Sequence, residues 1–246
     1  MATNELAAHT HPMKTNKALA QHRMEAAEAS GGKSSGPAYE IAMHLLQASN
    51  ASGRLLEFGA GVGAFPKRLL ATGYGGQITC ADILPKPLDA PPEFHWITAD
   101  LNQPLDLRDE SFDVIVSIEV IEHLENPRAV FREFARLLVP GGLLIVTTPH
   151  QHSIRGLSGL LLGGHFALFL GANYPAHITA LLEKDLERIC DESGFEPPSF
   201  HFSGEGRIPK LTHWSWQQVS FGLLKGKLFS DNIGLLTRKR TVAAHR

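Results

Sequence analysis

The stretch Leu55-Leu56-Glu57-Phe58-Gly59-Ala60-Gly61-Val62-Gly63-Ala64-Phe65 decides the reading of this chain, because an apolar run passes through an acid into three alternating glycines. It predicts a strand, a tight turn and a helix start. Glycine is required where backbone takes positive φ or must lie against a ligand, and the helix beyond the turn offers unpaired N–H groups. A nucleotide-like cofactor is the expected occupant.

Gly59, Gly61 and Ala64 also satisfy G-x-G-x-x-G/A, so the turn alone does not separate a dinucleotide from other nucleotide cofactors. A dinucleotide would set its pyrophosphate on the helix N-terminus, and an acid just before the turn repels that anion. Glu57 stands in that place. Its carboxylate suits a ligand with an ammonium or sulfonium centre, which S-adenosylmethionine presents.

Further along stand Gln77-Ile78-Thr79-Cys80-Ala81-Asp82, then Trp96-Ile97-Thr98-Ala99-Asp100-Leu101, then Phe112-Asp113-Val114-Ile115-Val116-Ser117 running into Ile118-Glu119-Val120-Ile121-Glu122-His123-Leu124, and finally Leu138-Val139-Pro140-Gly141-Gly142-Leu143-Leu144-Ile145-Val146-Thr147-Thr148-Pro149. With the glycine turn, these segments resemble the class I S-adenosylmethionine-dependent methyltransferases over residues 50 to 150. The resemblance implies a Rossmann-like α/β fold, a mostly parallel seven-stranded sheet of order 3-2-1-4-5-7-6. It implies that Asp82 holds both ribose hydroxyls, a bidentate charge-assisted contact. Asp100 would accept from the adenine amino group while Leu101 packs on the ring. The expected cofactor contacts are Glu57, Gly59, Ala60, Gly61, Gly63, Asp82, Ile83, Asp100, Leu101, Ser117 and Ile118. All three acids fall after successive strands, where ligands of open α/β sheets bind.

Composition agrees with such a domain. The chain has 246 residues, 43% hydrophobic, enough to bury a full core, and a net charge of −2 that gives no general attraction to nucleic acid or acidic lipid. Cys80 and Cys190 read as buried thiols, which with the polar, leaderless N-terminus leads to the expectation of a cytoplasmic protein. Leu160 to Ala172 is the longest apolar stretch, too short to span a bilayer and broken by Gly163, Gly164 and His165.

Residues 1 to 13 read as disordered, and Lys17 to Ser30 as a weakly amphipathic helix that closes the polar N-terminal segment, 1–36. Gly32-Lys33-Ser34 fails the phosphate-loop pattern, because position 27 is alanine and no strand precedes it. Residues 37–246 read as one domain. Ala38 to Leu46, entered through Pro37, is expected as a helix with Ile41, Leu45 and Leu46 inward; Tyr39 is read as a core-edge aromatic or a lid contact. Thr179 to Ser193 predicts an amphipathic helix presenting Leu182, Leu186 and Ile189, stopped by Gly194. Phe200 to Ser203 and Ile233 to Arg238 complete the strands.

Two apolar inserts, about 150–177 and 209–229, exceed the minimal fold and are expected to cap the substrate. Their character suits an apolar acceptor, a peripheral membrane contact or a homodimer surface. Methyl transfer needs chiefly alignment, with a base for a weakly acidic hydroxyl; His123 is the candidate base, with Glu119 beside it. If 119–123 is helical, Glu119, Glu122 and His123 share one face and could grip a divalent cation such as magnesium. The resemblance extends here to metal-assisted O-methyltransferases, with His177 as a further ligand and His150 and His152 as rivals. The acceptor is read as a small-molecule, quinone-like or lipid-linked glycan hydroxyl. RNA 3′-end 2′-O-methylation is the alternative, disfavoured by the absence of a basic stripe. A NAD-dependent oxidoreductase lacks its Tyr-x-x-x-Lys, since residue 178 is isoleucine. A non-catalytic cofactor-binding module would be marked by eroded glycines and acids, which here are intact.

Overall fold

The computed structural model describes residues 16–241. The expectation of disorder for 1 to 13 lies outside those residues. The glycine-turn stretch forms strand β1, Leu55–Phe58, followed by the turn and helix α3, Ala64–Ala71. Before it come α1, Asn16–Ser30, and α2, Gly36–Ala48, the latter capped by Ser35 with Pro37 in its first turn. After it come β2, Ile78–Asp82; β3, His95–Thr98; β4, Phe112–Ile118; α4, Pro127–Leu137; and β5, Leu138–Pro149. The chain continues through α5, Ile154–Gly163; α6, Glu183–Glu192; β6, Ser199–Phe202; the hairpin β7, Arg207–Ile208, and β8, Leu211–Ser215; α7, Trp216–Val219; and β9, Asn232–Arg238.

The seven-stranded sheet has the order β3-β2-β1-β4-β5-β9-β6, which is the expected 3-2-1-4-5-7-6 with the small hairpin counted in. β1 to β5 pair in parallel, and β9 enters antiparallel between β5 and β6. Alternation along the strands sends side chains to two cores. Leu56, Phe58 and Ile115 meet Phe131, Phe134 and Leu137 of α4 and Ile189 of α6. Leu55, Val114 and Val116 meet Ile41, Leu45 and Leu46 of α2 and Phe65 and Leu69 of α3. Tyr39 is buried in this second core, and its hydroxyl accepts from the Ser34 N–H, so the core-edge reading holds.

Two boundaries differ from expectation for local reasons. β3 stops at Thr98, because Asp100 turns its carboxylate onto the Asn102 N–H and bends the chain away from the ladder. α6 begins at Glu183 rather than Thr179, since Thr179 spends its N–H on the Glu122 carbonyl and its hydroxyl on the Leu124 carbonyl, while Asp185 caps the Leu182 N–H. Leu181 is therefore the buried residue there and Leu182 only half-buried. Both cysteines are free and buried. Among the described residues no helix is long and apolar enough to cross a membrane.

The turn after β1 is fixed by contact as well as by φ. Gly61 has φ 53°, the Gly32 carbonyl accepts from the Val62 N–H at 3.0 Å, and a Cβ on Gly61 would overlap that carbonyl. Left-handed backbone alone costs an L-residue about 1–2 kcal/mol. Gly61→Ala is therefore expected to lower unfolding free energy by about 2 kcal/mol or more in urea titrations; a loss under about 0.5 kcal/mol, the range of neutral surface changes, would contradict this packing.

Candidate active site

At the carboxyl edge of β1, β2 and β4 lies a cavity of about 660 Å³. Asp82, the last residue of β2, forms part of its wall. Its Oδ2 accepts from the Gly61 N–H at 2.6 Å and its Oδ1 from the Leu84 N–H at 2.8 Å, which ties the glycine turn to the end of β2. Each oxygen keeps lone pairs for a further donor. Burial pushes the Asp82 carboxyl up from its ordinary range, against the pull of those N–H groups. Glu57, on β1, is 2% exposed with an unpartnered Oε2, and burial holds its carboxyl well above the usual range, with Asp82 adding to the shift.

Of the residues read as cofactor contacts, Gly59, Asp82, Ile83, Asp100 and Leu101 line the cavity. Glu57, Ala60, Gly61, Gly63, Ser117 and Ile118 are not among the lining residues; the Gly31–Gly32 turn lies over Gly61. Ser117 is buried with an orphan hydroxyl, and the Ile118 carbonyl accepts from the Ser34 hydroxyl. Asp100 is engaged already: Arg23 of α1 donates to its Oδ2 and, through Nε and Nη2, clasps Glu125 at 3.0 and 2.7 Å. α1 thus walls the cavity with His22, Arg23 and Ala26, although its weak amphipathicity gave no sign of this. The only available signal was Arg23 itself, a lone guanidinium facing alanines.

The second pole of the cavity corrects the expectation of a helix over 119–123. Glu119 has φ 52°, and only Ile121–His123 turns helically. Glu119 consequently does not share the ligand cluster of Glu122 and His123. Its Oε2 accepts from the Ser35 N–H and its Oε1 from the Asn232 side-chain amide, both at 2.6 Å, so it clasps the strap before α2 to β9. His177, expected with them as a further ligand, does join Glu122 and His123. The N–H groups of Ile178 and Thr179 donate to the Glu122 carbonyl, which lays residues 176–179 along the 121–124 turn. Ligand atoms of Glu122, His123 and His177 lie within 4.8 Å of one another, and the two imidazoles meet edge to face at 4.8 Å. His150 and His152 belong to a different cluster, with Glu183.

This trio is short of partners. Glu122 is fully buried; Thr148 donates to its Oε2, while Oε1 has no partner, and burial pushes its carboxyl well above the usual range. His123 Nδ1 lies 2.7 Å from the Ala176 carbonyl and so carries the proton. Burial lowers His123 from its ordinary value and takes His177 down to about 4, with its Nδ1 buried and orphaned. Two neutral imidazoles and one carboxyl are a donor set that can accept a proton from a hydroxyl or hold a divalent cation.

Residues 37–198 match the family model described as methyltransferase domain. The chain belongs to that family, whose members of this fold use S-adenosylmethionine. Among curated proteins, it is 29% identical over 123 residues to ubiquinone biosynthesis O-methyltransferase of Caulobacter sp. (strain K31), covering 47% of this chain and 48% of that one. The chain thus spans about half the length of curated relatives it matches. Among solved structures, a SAM-dependent methyltransferase from Archaeoglobus fulgidus aligns with TM-score 0.57 at 18% identity, covering 82% of this chain and 94% of that one. Burkholderia thailandensis 1,6-didemethyltoxoflavin-N1-methyltransferase, solved with S-adenosylhomocysteine, aligns with TM-score 0.54 at 17% identity, over 84% and 78% of the two chains.

The buried neutral histidine also sets a stability trend. His177 titrates near 4 when folded and near 6.5 when unfolded, so between these values the unfolded chain binds more protons and gains by acidification. Stability is expected to fall as pH drops from about 6.5 toward 4, and His177→Gln to flatten that slope; urea midpoints across this window check it, and an unchanged slope would refute the burial assigned to His177.

Proposed function

We propose that this domain transfers the methyl group of S-adenosylmethionine to a hydroxyl of a small, largely apolar acceptor of hydroquinone or phenol type. The observation that carries this reading is one cavity with two poles: Asp82 and Asp100 at one, and Glu122, His123 and His177 at the other. The name of the Caulobacter relative supports the same acceptor class.

In this reading the ribose hydroxyls donate to the free lone pairs of Asp82, and the buried Glu57 carboxyl lies beneath the methionine end of the cofactor, whose positive charge favours its ionised form. The acceptor hydroxyl sits at the His123 pole. A bond forms between its oxygen and the methyl carbon as the carbon–sulfur bond breaks, and the hydroxyl proton passes to His123, which burial keeps neutral. The orphaned Glu122 Oε1 and His177 Nδ1 favour a second form of the same reaction. There Glu122, His123 and His177 hold a divalent cation, whose chemistry when bound is to lower the hydroxyl's pKa. Five acids line the cavity, Asp82, Asp100, Glu119, Glu122 and Glu125, and this disfavours a polyanionic RNA acceptor. The exposed Leu161, Leu162, Phe221 and Leu223 of the two inserts fit approach by an apolar compound or contact with a membrane surface. Buried, reduced Cys80 and Cys190 fit a reducing compartment such as the cytoplasm.

The test is incubation with methyl-labelled S-adenosylmethionine and a panel of catechols and hydroquinones, with and without magnesium, products read by mass spectrometry. A gain of one methyl on oxygen is expected; transfer only to nitrogen, or none to any panel member, would overturn the acceptor class. Asp82→Ala is expected to weaken S-adenosylhomocysteine binding about 10- to 100-fold, on the scale of lost hydrogen bonds to a charged group. Unchanged affinity would remove the ribose from Asp82. Because the neutral form of His123 is required and its pKa is lowered, kcat/KM is expected to stay level down to about pH 6.5 and decline only below it. A decline that begins well above that pH would refute His123 as base.

A further inference from the structure

A second cluster lies outside the cavity, where β5 ends. His150 and His152 follow β5, Glu183 opens α6, and their ligand atoms lie within 4.8 Å of one another. His150 is 4% exposed. Its Nδ1 lies 3.1 Å from the Ser230 carbonyl, an acceptor, so Nδ1 bears the proton and Nε2 a lone pair. That Nε2 has no hydrogen-bond partner, although it is buried and aimed at Glu183 Oε1, 3.5 Å away. A lone pair facing a carboxylate oxygen lacks something positive between them.

The neighbouring groups complete the picture. His152 Nδ1 stands 3.1 Å from the same Glu183 Oε1, and its side chain is 40% exposed, leaving a path from water. Moving the His152 proton from Nδ1 to the outer Nε2 frees a second nitrogen. The Ser230 carbonyl on His150 Nδ1 is the outer contact that orients metal-bound imidazoles. Lys227 already places a cation here, with Nζ at 2.6 and 2.7 Å from the two Glu183 oxygens. It brings one charge and makes no bond to His150.

We propose that His150 Nε2, His152 Nδ1 and the Glu183 carboxylate form a binding site for a zinc-like divalent ion, distinct from the cavity cluster, with Lys227 as the built-in competitor. Two imidazoles and one carboxylate select a borderline ion over magnesium or calcium, and leave a fourth position for water. Metal entry releases Lys227 from Glu183. The site therefore couples the first insert, which carries both histidines, to the second, which carries Lys227. The proposal does not depend on methyl transfer.

The experiment is titration of chelator-treated, tag-free full-length protein with Zn2+ by calorimetry and with Co2+ by its visible ligand-field absorption. Wild type is expected to bind, and Lys227→Gln to bind about tenfold more tightly. His150→Ala, and independently the more exposed His152→Ala, are expected to lose one equivalent that His177→Ala keeps. The proposal is overturned if His150→Ala and His152→Ala titrate like wild type, if Lys227→Gln takes up no metal, or if the equivalent disappears in His177→Ala and survives in His152→Ala. Comparison among variants cancels any metal held elsewhere on the chain.

Discussion

The carboxylate of Asp82 is the constraint on which the active edge depends. By accepting from the Gly61 and Leu84 N–H groups it closes the glycine turn against the end of β2 and sets where the chain leaves both strands. With the turn fixed, the Val62 N–H donates to the Gly32 carbonyl, which packs on Gly61, and that contact lays α1 across the opening. Arg23 then reaches Asp100 and Glu125. One charge-assisted pair of bonds thus organises β1, β2, α3 and the helix before the fold proper, while each Asp82 oxygen retains capacity for a ligand.

The same edge concentrates acidic groups. Glu57, Asp82 and Glu122 are buried and Glu119 is half-buried, and burial raises all four carboxyls. Buried carboxyls of this number oppose folding unless each is bonded or offset. Glu119 is offset by Ser35 and Asn232, and Asp82 by backbone N–H groups. Glu57 and Glu122 each keep an orphan oxygen. An edge with that imbalance favours positively charged ligands, which for the family is the ammonium and sulfonium of the cofactor.

Much of this was legible in the sequence. The position of Asp82 at a strand end and the helix over Ala38 to Leu46 follow from patterns within single segments, where periodicity and capping act locally, while the strand order comes from the family resemblance and not from periodicity. What sequence could not give arises from contacts between distant segments. Glu119 looked like a partner of Glu122 because helical spacing was assumed, yet its left-handed backbone turns it to Ser35 and Asn232, 84 and 113 residues away. His177 enters as a further ligand through the family resemblance; the contact that brings it to Glu122 and His123, two N–H groups of the following residues on the Glu122 carbonyl, has no sequence signal. The role of α1 rests on Arg23 and a glycine carbonyl, neither of which raises a hydrophobic signal.

The central claim is that an acidic, glycine-closed crevice takes an S-adenosyl cofactor and rejects a pyrophosphate. Calorimetric titration of the purified wild-type protein with S-adenosylhomocysteine and, separately, with NADH tests it most directly. The account predicts saturable heat with S-adenosylhomocysteine and none with NADH. Saturable binding of NADH without S-adenosylhomocysteine would contradict it, and would mean that Glu57 does not repel the anion its place before the turn should exclude.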